Sequence, residues 1–268
     1  EKARLGARQG PPAEGPRMND WTPPGAHALL AAISAGWAPA ESVALGGWVL
    51  RRGLGGGRRA ASVWPAGEPG LPIDEAIAAA EAQSRAWEQP AIFQIGPADD
   101  ALDAALATRG YRREARSPIM AAPAETVAAA GRGKRMVLRV RAPLVALEEL
   151  WNAGGIGPAR RAVMARTAAP KDILMLREDD RVAAAAFVAV HDGIAVMSAL
   201  HVAPPFRRRG LGREAVGAAA RMGSAFGAHT IAFSVEGENA PAIALYEGLG
   251  LQQVSQYHYR VAPEEPRP

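Results

Sequence analysis

The chain is 268 residues long, and 31 Lys and Arg against 27 Asp and Glu leave a net charge of +4. Apolar residues at 49% supply a sizeable core and charged residues at 22% sit near the globular average, which excludes a wholly disordered, collagenous or coiled-coil chain. The absence of cysteine excludes disulfides, Cys-ligated zinc, iron–sulfur clusters and a thiol nucleophile. The longest apolar run, Val182 to Val190, has nine residues, against the roughly 20 that a membrane helix needs. The first residues hold no apolar stretch of the kind a secretory signal requires. A soluble, cytoplasmic protein of one or two domains is therefore expected.

Residues 1–17 are rich in Pro, Gly and Arg, show no hydrophobic period and read as a disordered tail. The globular sequence begins at Met18. A helix is predicted over His27–Trp37, a strand over Ser42–Arg51, a glycine-rich turn, and a second strand over Arg58–Trp64. A long Ala-rich helix follows over Asp74–Glu88, with Asp74 and Glu75 suited to its first turn. Then come a buried-type strand, Ala91–Ile95, a helix, Asp100–Arg109, and a strand from about Tyr111. Residues 123–135 are small and polar and read as a linker or a frayed helix, closing a first half over 18–122.

The second half, 136–262, repeats this rhythm. Met136–Val140 alternates as a strand, Leu144–Asn152 is helical, and Pro158 opens a further helix, since proline favours the first helical position. Ile173–Leu176 and Val182–Val190 form a hairpin around Arg177–Arg181, followed by a strand over Ile194–Val202. A helix over Leu211–Phe226, a strand over Ile231–Val235, a helix over Pro241–Glu247 and a strand over Gln256–Arg260 complete the chain before a short tail, 263–268. At a gap-free offset of 140, Ala91–Tyr111 lies over Ile231–Leu251, with Phe93, Ala104 and Gly110 meeting Phe233, Ala244 and Gly250. The shared order of strand, small-residue turn, helix and closing glycine suggests two related halves in a mixed α/β protein.

The most informative segment is Val202-Ala-Pro-Pro-Phe-Arg-Arg-Arg-Gly-Leu-Gly212, between a predicted strand and a predicted helix. Pro204 and Pro205 end the strand because proline cannot donate to a ladder. Gly210 and Gly212 let the backbone turn tightly and approach a ligand. The amides of Arg208 to Arg213 would lie at a helix N-terminus, an anion site suited to a pyrophosphate. The same pentapeptide, RRGLG, occurs at Arg51–Gly55, but there it is expected to be a turn between two strands that opens no helix.

About 30 residues further on, Asn239 is a sound N-cap, and Ala242, Leu245 and Leu249 share one helix face. Tyr246 falls at the edge of that face with its hydroxyl free. The two segments, V-x-P-x-F-R-x-R-G-x-G and N-x-x-A-x-x-L-Y-x-x-x-G-L, together resemble the signature segments of the GCN5-related N-acetyltransferases (GNAT). The match is close over about Leu200–Leu251 and departs at Leu251, where the family usually has Phe. The resemblance implies an acyl-CoA N-acyltransferase fold for the second half and direct transfer from acetyl-CoA to a primary amine of a small molecule or peptide. Under it, Arg208, Arg209, Gly210, Leu211, Gly212 and Arg213 hold the pyrophosphate through their amides. The strand end Leu200-His201-Val202 pairs with the pantetheine arm, Asn239 contacts it, and Tyr246 protonates the departing thiolate.

The attacking amine must be neutral, so a base or a water chain is required. Ser234 stands where some family members carry a Glu and cannot serve directly. Glu236, His201 or waters are left open. The first half keeps the scaffold without the chemistry: at offset 140, Leu106 stands for Tyr246 and Asp99 for Asn239, and Ala66-Gly67-Glu68-Pro69 replaces the glycine–arginine loop. It resembles the degenerate N-terminal lobe of tandem acetyltransferases, and it would close the sheet or wall the acceptor pocket. Arginines are spread and aromatics are sparse, against nucleic-acid binding. No metal spacing occurs among the histidines, no membrane contact is expected, and a homodimer is left open. The alternative from another class is a non-catalytic acyl-CoA-binding or sensing module.

Overall fold

The computed structural model describes residues 21–131, 133 and 135–263. The expected tail at 1–17, Arg132 and Lys134 of the expected linker, and the last five residues of the chain lie outside the described residues.

The first half contains α1 (Ala26–Ala35), β1 (Glu41–Leu45), β2 (Trp48–Arg52), α2 (Arg58–Ala61), β3 (Trp64–Pro65), α3 (Ile73–Ala86), β4 (Ile92–Ile95), α4 (Asp100–Thr108) and β5 (Arg112–Pro123). Helix α5 (Ala124–Ala130) leads to β6 (Val137–Val140), α6 (Val145–Ala153), α7 (Pro158–Arg166), β7 (Lys171–Glu178), β8 (Arg181–His191) and β9 (Ile194–Val202). The chain then forms α8 (Leu211–Ala225), β10 (Thr230–Ser234), α9 (Ala240–Glu247) and β11 (Gln252–Val261).

Three segments differ from the sequence-based expectation. The predicted strand over Ser42–Arg51 is a hairpin, β1 and β2, that turns at Gly46-Gly47, where Gly46 has φ +54°. A Cβ at Gly46 would lie 2.1 Å from Pro69 O, so only glycine fits. The predicted strand over Arg58–Trp64 is the short helix α2 followed by β3. The first glycine–arginine segment therefore does open a helical turn. Its glycines serve packing: a Cβ at Gly53 would meet Ala61 Cβ at 2.5 Å, and one at Gly56 would meet Val163 of α7 at 2.6 Å. Where a linker or a frayed helix was read, the helix α5 lies against α8. Its small residues are what close approach demands, since a Cβ at Gly131 would lie 2.5 Å from Gly217 Cα. Arg221 donates to Ala128 O at 2.9 Å across the same contact.

The main sheet has eight strands in the order β4-β11-β5-β10-β9-β8-β7-β6, and β1-β2-β3 form a small separate sheet. The C-terminal strand β11 lies between β4 and β5, and β5 lies between β11 and β10, all antiparallel. The four strands β4-β11-β5-β10 read the same from both ends once each is moved by 140 residues. Their registers agree: Ile95 pairs with His258, and the same shift gives Val235 and Pro118, the step after the observed pair Ser234 and Ile119. The two halves thus exchange their last strands across the sheet.

Helix α8 covers one face of β8 and β9, burying Ala215, Val216, Ala219 and Met222. The other face carries Trp37, Leu147, Trp151 and Phe187, together with α1 through Leu29 and Ile33. Strand β8 is buried on both sides over Ala183–Val190, which explains its unbroken apolar run.

An ionic cluster fastens β11 to α4. Arg260 grips Asp103 with Nε at 2.7 Å and Nη2 at 3.1 Å, and His258 Nε2 lies 2.7 Å from the same carboxylate. Arg113 can only donate to His258 Nδ1, at 3.2 Å, so Nε2 carries the proton. The Arg260 hydrogen bonds, outweighing burial, hold Asp103 down to about 2. A depressed carboxylate stabilises the fold above its unfolded value, near 3.9, and that contribution fades as pH falls towards 2. Asp103→Asn is accordingly expected to lower the thermal midpoint at pH 7 by a few degrees, on the order of 2–6 °C. The deficit should shrink between pH 4 and 2 in melts followed by circular dichroism.

Candidate active site

Strands β9 and β10 run parallel and pair only over three residues, Thr230↔Ile194 to Ala232↔Val196. Beyond Met197 the edge of β9 that faces β10 has no strand partner. The parting is fixed by an irregularity at Ala199, which has φ +53° opposite the step from Phe187 to Ala185. The fully buried Trp151 holds it, donating from Nε1 to Ala199 O at 3.0 Å. A cavity of about 500 Å³ opens in the cleft, and its wall includes Leu200, His201, Ser234, Glu236, Asn239 and Tyr246. Val202 ends β9 one residue further on.

The loop after β9 closes as the sequence suggested. Pro204–Phe206 forms a 3-10 turn, Arg208 has φ +63°, and Gly210 has φ +85° at the N-cap of α8. Glu214 N–H is the first to close onto the helix, at 3.1 Å from Gly210 O. The N–H groups of Leu211, Gly212 and Arg213 are left unpaired at the positive end of a 15-residue helix, ready for an anion. Gly212 has a second reason to be small: a Cβ there would meet Leu245 of α9 at 3.1 Å.

The arginine side chains have separate work. Arg213 clamps three helices, donating to Ala130 O at 3.0 Å and Gly248 O at 2.7 Å. Arg209 pairs with Asp179 at 3.1 Å, its guanidinium lying over the Phe206 ring, and Arg207 donates to Val202 O at 3.1 Å. Asp179 sits at the tip of the β7–β8 hairpin, where Asp179 and Asp180 both take positive φ, as a tight primed turn requires. The acidic run read as a turn is therefore also the anchor of the loop. Arg208 forms no ion pair among the described residues.

Asn239 caps α9, its side chain accepting from Ala242 N at 3.2 Å. Tyr246, two turns further along, is 7% exposed and packs with its ring 4.7 Å from that of Phe233. Its hydroxyl makes no hydrogen bond among the described residues and faces the cavity. Burial pushes it up to about 12, so the phenol is protonated at neutral pH. Burial, aided by the Arg207 charge, lowers His201, and its Nε2 is buried without a partner. Glu236 lies exposed at the rim.

Part of the wall comes from the first half: Trp37, Arg58, Arg59, Ala115 and Ser117. Tyr257 and Tyr259 of the exchanged strand β11 line it too. Of these, only Arg59 stood in a segment with a local signal, Arg59-x-x-Ser62-Val63-x-Pro65, which with Trp48-x-x-Arg51 carries the resemblance of the first half to a degenerate acetyltransferase lobe. Arg59 and Tyr257 lie 198 residues apart and meet only because β11 crosses into the first half. Among the described residues no group of three or more His, Cys, Asp and Glu could hold a metal ion. No described helix is long and apolar enough to cross a membrane.

A model of the acetyltransferase (GNAT) family matches residues 145–251, the segment that holds β9, the loop, α8 and α9. Residues 145–251 are therefore of the GNAT family. It is 25% identical over 236 residues, 85% of this chain and 95% of the relative, to an uncharacterized N-acetyltransferase, YobR, of Bacillus subtilis. A GCN5-related N-acetyltransferase from Kribbella flavida shares the fold with a TM-score of 0.63 at 19% identity, covering 90% of this chain and 96% of that one. A tandem GNAT protein from the clavulanic acid biosynthesis pathway superposes with a TM-score of 0.57 at 13% identity, over 76% of each chain. The mixed α/β architecture of this chain is thus common to proteins of very different sequence.

The left-handed Gly210 gives a direct test of the loop. Gly210→Ala has room for its Cβ but not a favourable φ, so it should cost about 1 kcal/mol and lower the thermal midpoint by roughly 2–4 °C. A melt indistinguishable from the parent protein would show that the turn relaxes.

Proposed function

We propose that this GNAT protein is an acetyl-CoA-dependent N-acetyltransferase that acts on a primary amine within a ternary complex. The observation that carries this reading is the protonated, unpaired Tyr246 hydroxyl on the wall of the β9–β10 cleft, beside a helix with three free N-terminal amides.

The free amides and the left-handed Gly210 fit a pyrophosphate, with the amides of Arg208, Arg209, Gly210, Leu211, Gly212 and Arg213 around it and the Arg208 side chain adding charge. The open edge of β9 at Leu200, His201 and Val202 fits the amide-bearing pantetheine arm, and the Asn239 side-chain amide, its oxygen already capping α9, keeps its N–H donors for the same arm. Acetyl-CoA supplies an activated acyl group as a thioester. Tyr246 donates its Oη proton to the sulfur as the C–S bond breaks and the C–N bond forms. The amine proton passes to His201, to Glu236 or through water. His201 stays neutral to below its usual value and so remains able to accept a proton at neutral pH.

We also read the first half as a GNAT-like lobe without a cofactor site of its own. At Tyr246's place stands Leu106, fully buried in the core, and Ala66–Pro69 provides no helix N-terminus. The matching strand registers support common descent of the two halves.

Tyr246→Phe should lower kcat by roughly 100-fold or more, with the acetyl-CoA Kd within about threefold of the parent value. Stopped-flow thiol release and calorimetry measure the two. Because Tyr246 ionises only near pH 12, the parent kcat should show no alkaline fall below about pH 10. Binding of acetyl-CoA with no transfer to any amine would instead favour a sensing module.

A further inference from the structure

Two arginines of the first half reach towards the cleft and differ in what they touch. Arg51 is 2% exposed and fully engaged, donating to Ser62 O, Ser62 Oγ and Gln94 Oε1, each at 2.7 Å, and to Ser34 Oγ. It is a structural cation. Arg59, one helical step into α2, lines the cavity and donates to Ser198 Oγ at 3.2 Å, with the Tyr257 and Tyr259 hydroxyls also in hydrogen-bonding reach. Its Nε is buried with no partner, and its guanidinium stands 6.0 Å from the Trp37 ring. No carboxylate pairs with it among the described residues. The neighbouring cations are no substitute: Arg58 is tied to Glu114 at 2.6 Å, and Arg160 is exposed at the rim.

The surroundings hold Arg59 in place. Trp37 Nε1 donates to Gly56 O at 2.9 Å, and Gln89 bridges Gly53 N at 3.1 Å, Arg51 O at 2.8 Å and Ala61 O at 3.1 Å. The loop and α2 are thus braced at both ends. Around the guanidinium lie further hydroxyls. Tyr257, at 2.6 Å from Ser234 Oγ, and Tyr259 complete the floor of the cleft. Burial opposes the charge on Arg59, but the nearby tyrosines raise it overall, so it is a cation. A half-buried guanidinium whose Nε is buried without a partner is stabilised when an anion meets it. Its planar fork, flanked by the Ser198 hydroxyl, matches the two oxygens of a carboxylate.

We propose that Arg59, with Ser198, binds a carboxylate on the acceptor, so that the substrate is an amine that carries a carboxylate, such as an amino acid. This rests on the acetyltransferase reading above. The second half supplies the group-transfer machinery through Tyr246, and the first half supplies acceptor selectivity. The amine would lie towards Tyr246 and the carboxylate towards Arg59, at the end of the cleft away from the phosphate loop.

The test uses the full chain and a panel of L-amino acids and ω-amino acids, each beside its primary amide and its decarboxylated amine. Thiol release is read for every member. The carboxylate-bearing amines should be preferred by roughly 10- to 100-fold in kcat/KM. Arg59→Gln should collapse that ratio towards one, mainly through KM. Arg59→Lys should keep part of it, and Ser198→Ala should lower it less. Thermal melts and acetyl-CoA calorimetry on each variant separate lost selectivity from lost folding. Equal or better use of the amides and decarboxylated amines, or no turnover of any carboxylate-bearing amine by a protein that binds acetyl-CoA, would overturn the inference. Failure to bind acetyl-CoA would overturn the acetyltransferase reading itself, and this inference with it.

Discussion

The ladder between β5 and β11 joins segments about 140 residues apart, and each strand finds its other neighbour in the opposite half. Removing either strand would strip both halves of a central sheet member, so neither can close its core alone. The backbone polar groups of two inner strands depend on this exchange. So does the cleft between β9 and β10: with β5 rather than β9 paired along the full length of β10, strand β9 is free to diverge beyond Met197. The Asp103, His258 and Arg260 cluster then locks the exchanged strand onto α4.

Charge in this protein is spent locally. The excess of arginine reads at first as a binding surface, yet most of the well-defined guanidinium groups fasten backbone: Arg213 joins α5, α8 and α9, Arg51 joins β2 to the segment before β3, and Arg260 joins β11 to α4. At the loop before α8 the positive potential comes from backbone amides and the helix dipole, with arginines at its flanks. Arg59 differs from these three because it lines a cavity beside the hydroxyls of Ser198, Tyr257 and Tyr259.

The signature segments around Gly210 and Tyr246 were legible because they are local. Strand, loop and helix are consecutive in the chain, and the amides that make the anion site belong to the residues that carry the motif. The offset of 140 was legible for the same reason, as a repeated order of short elements, and α4 and α9 begin 140 residues apart as it predicted. Other segments misled. Small residues at 124–131 left a linker or a frayed helix open, and glycines at 53–57 suggested a turn, yet both are sites where helices touch closely. A small side chain records that space is short without recording what fills it.

The sequence by itself determined the mixed α/β class, the strand–loop–helix turn at Gly210 and the capped helix that carries Tyr246, because backbone periodicity, proline and glycine act over a few residues. Only the tertiary structure decided that the halves exchange strands, that Trp151 fixes the bend at Ala199, and that Arg59, Ser198 and Tyr257 face one cavity. Those contacts depend on strand order, and strand order is set by how two complete hydrophobic faces are covered at once, which no short stretch of residues encodes.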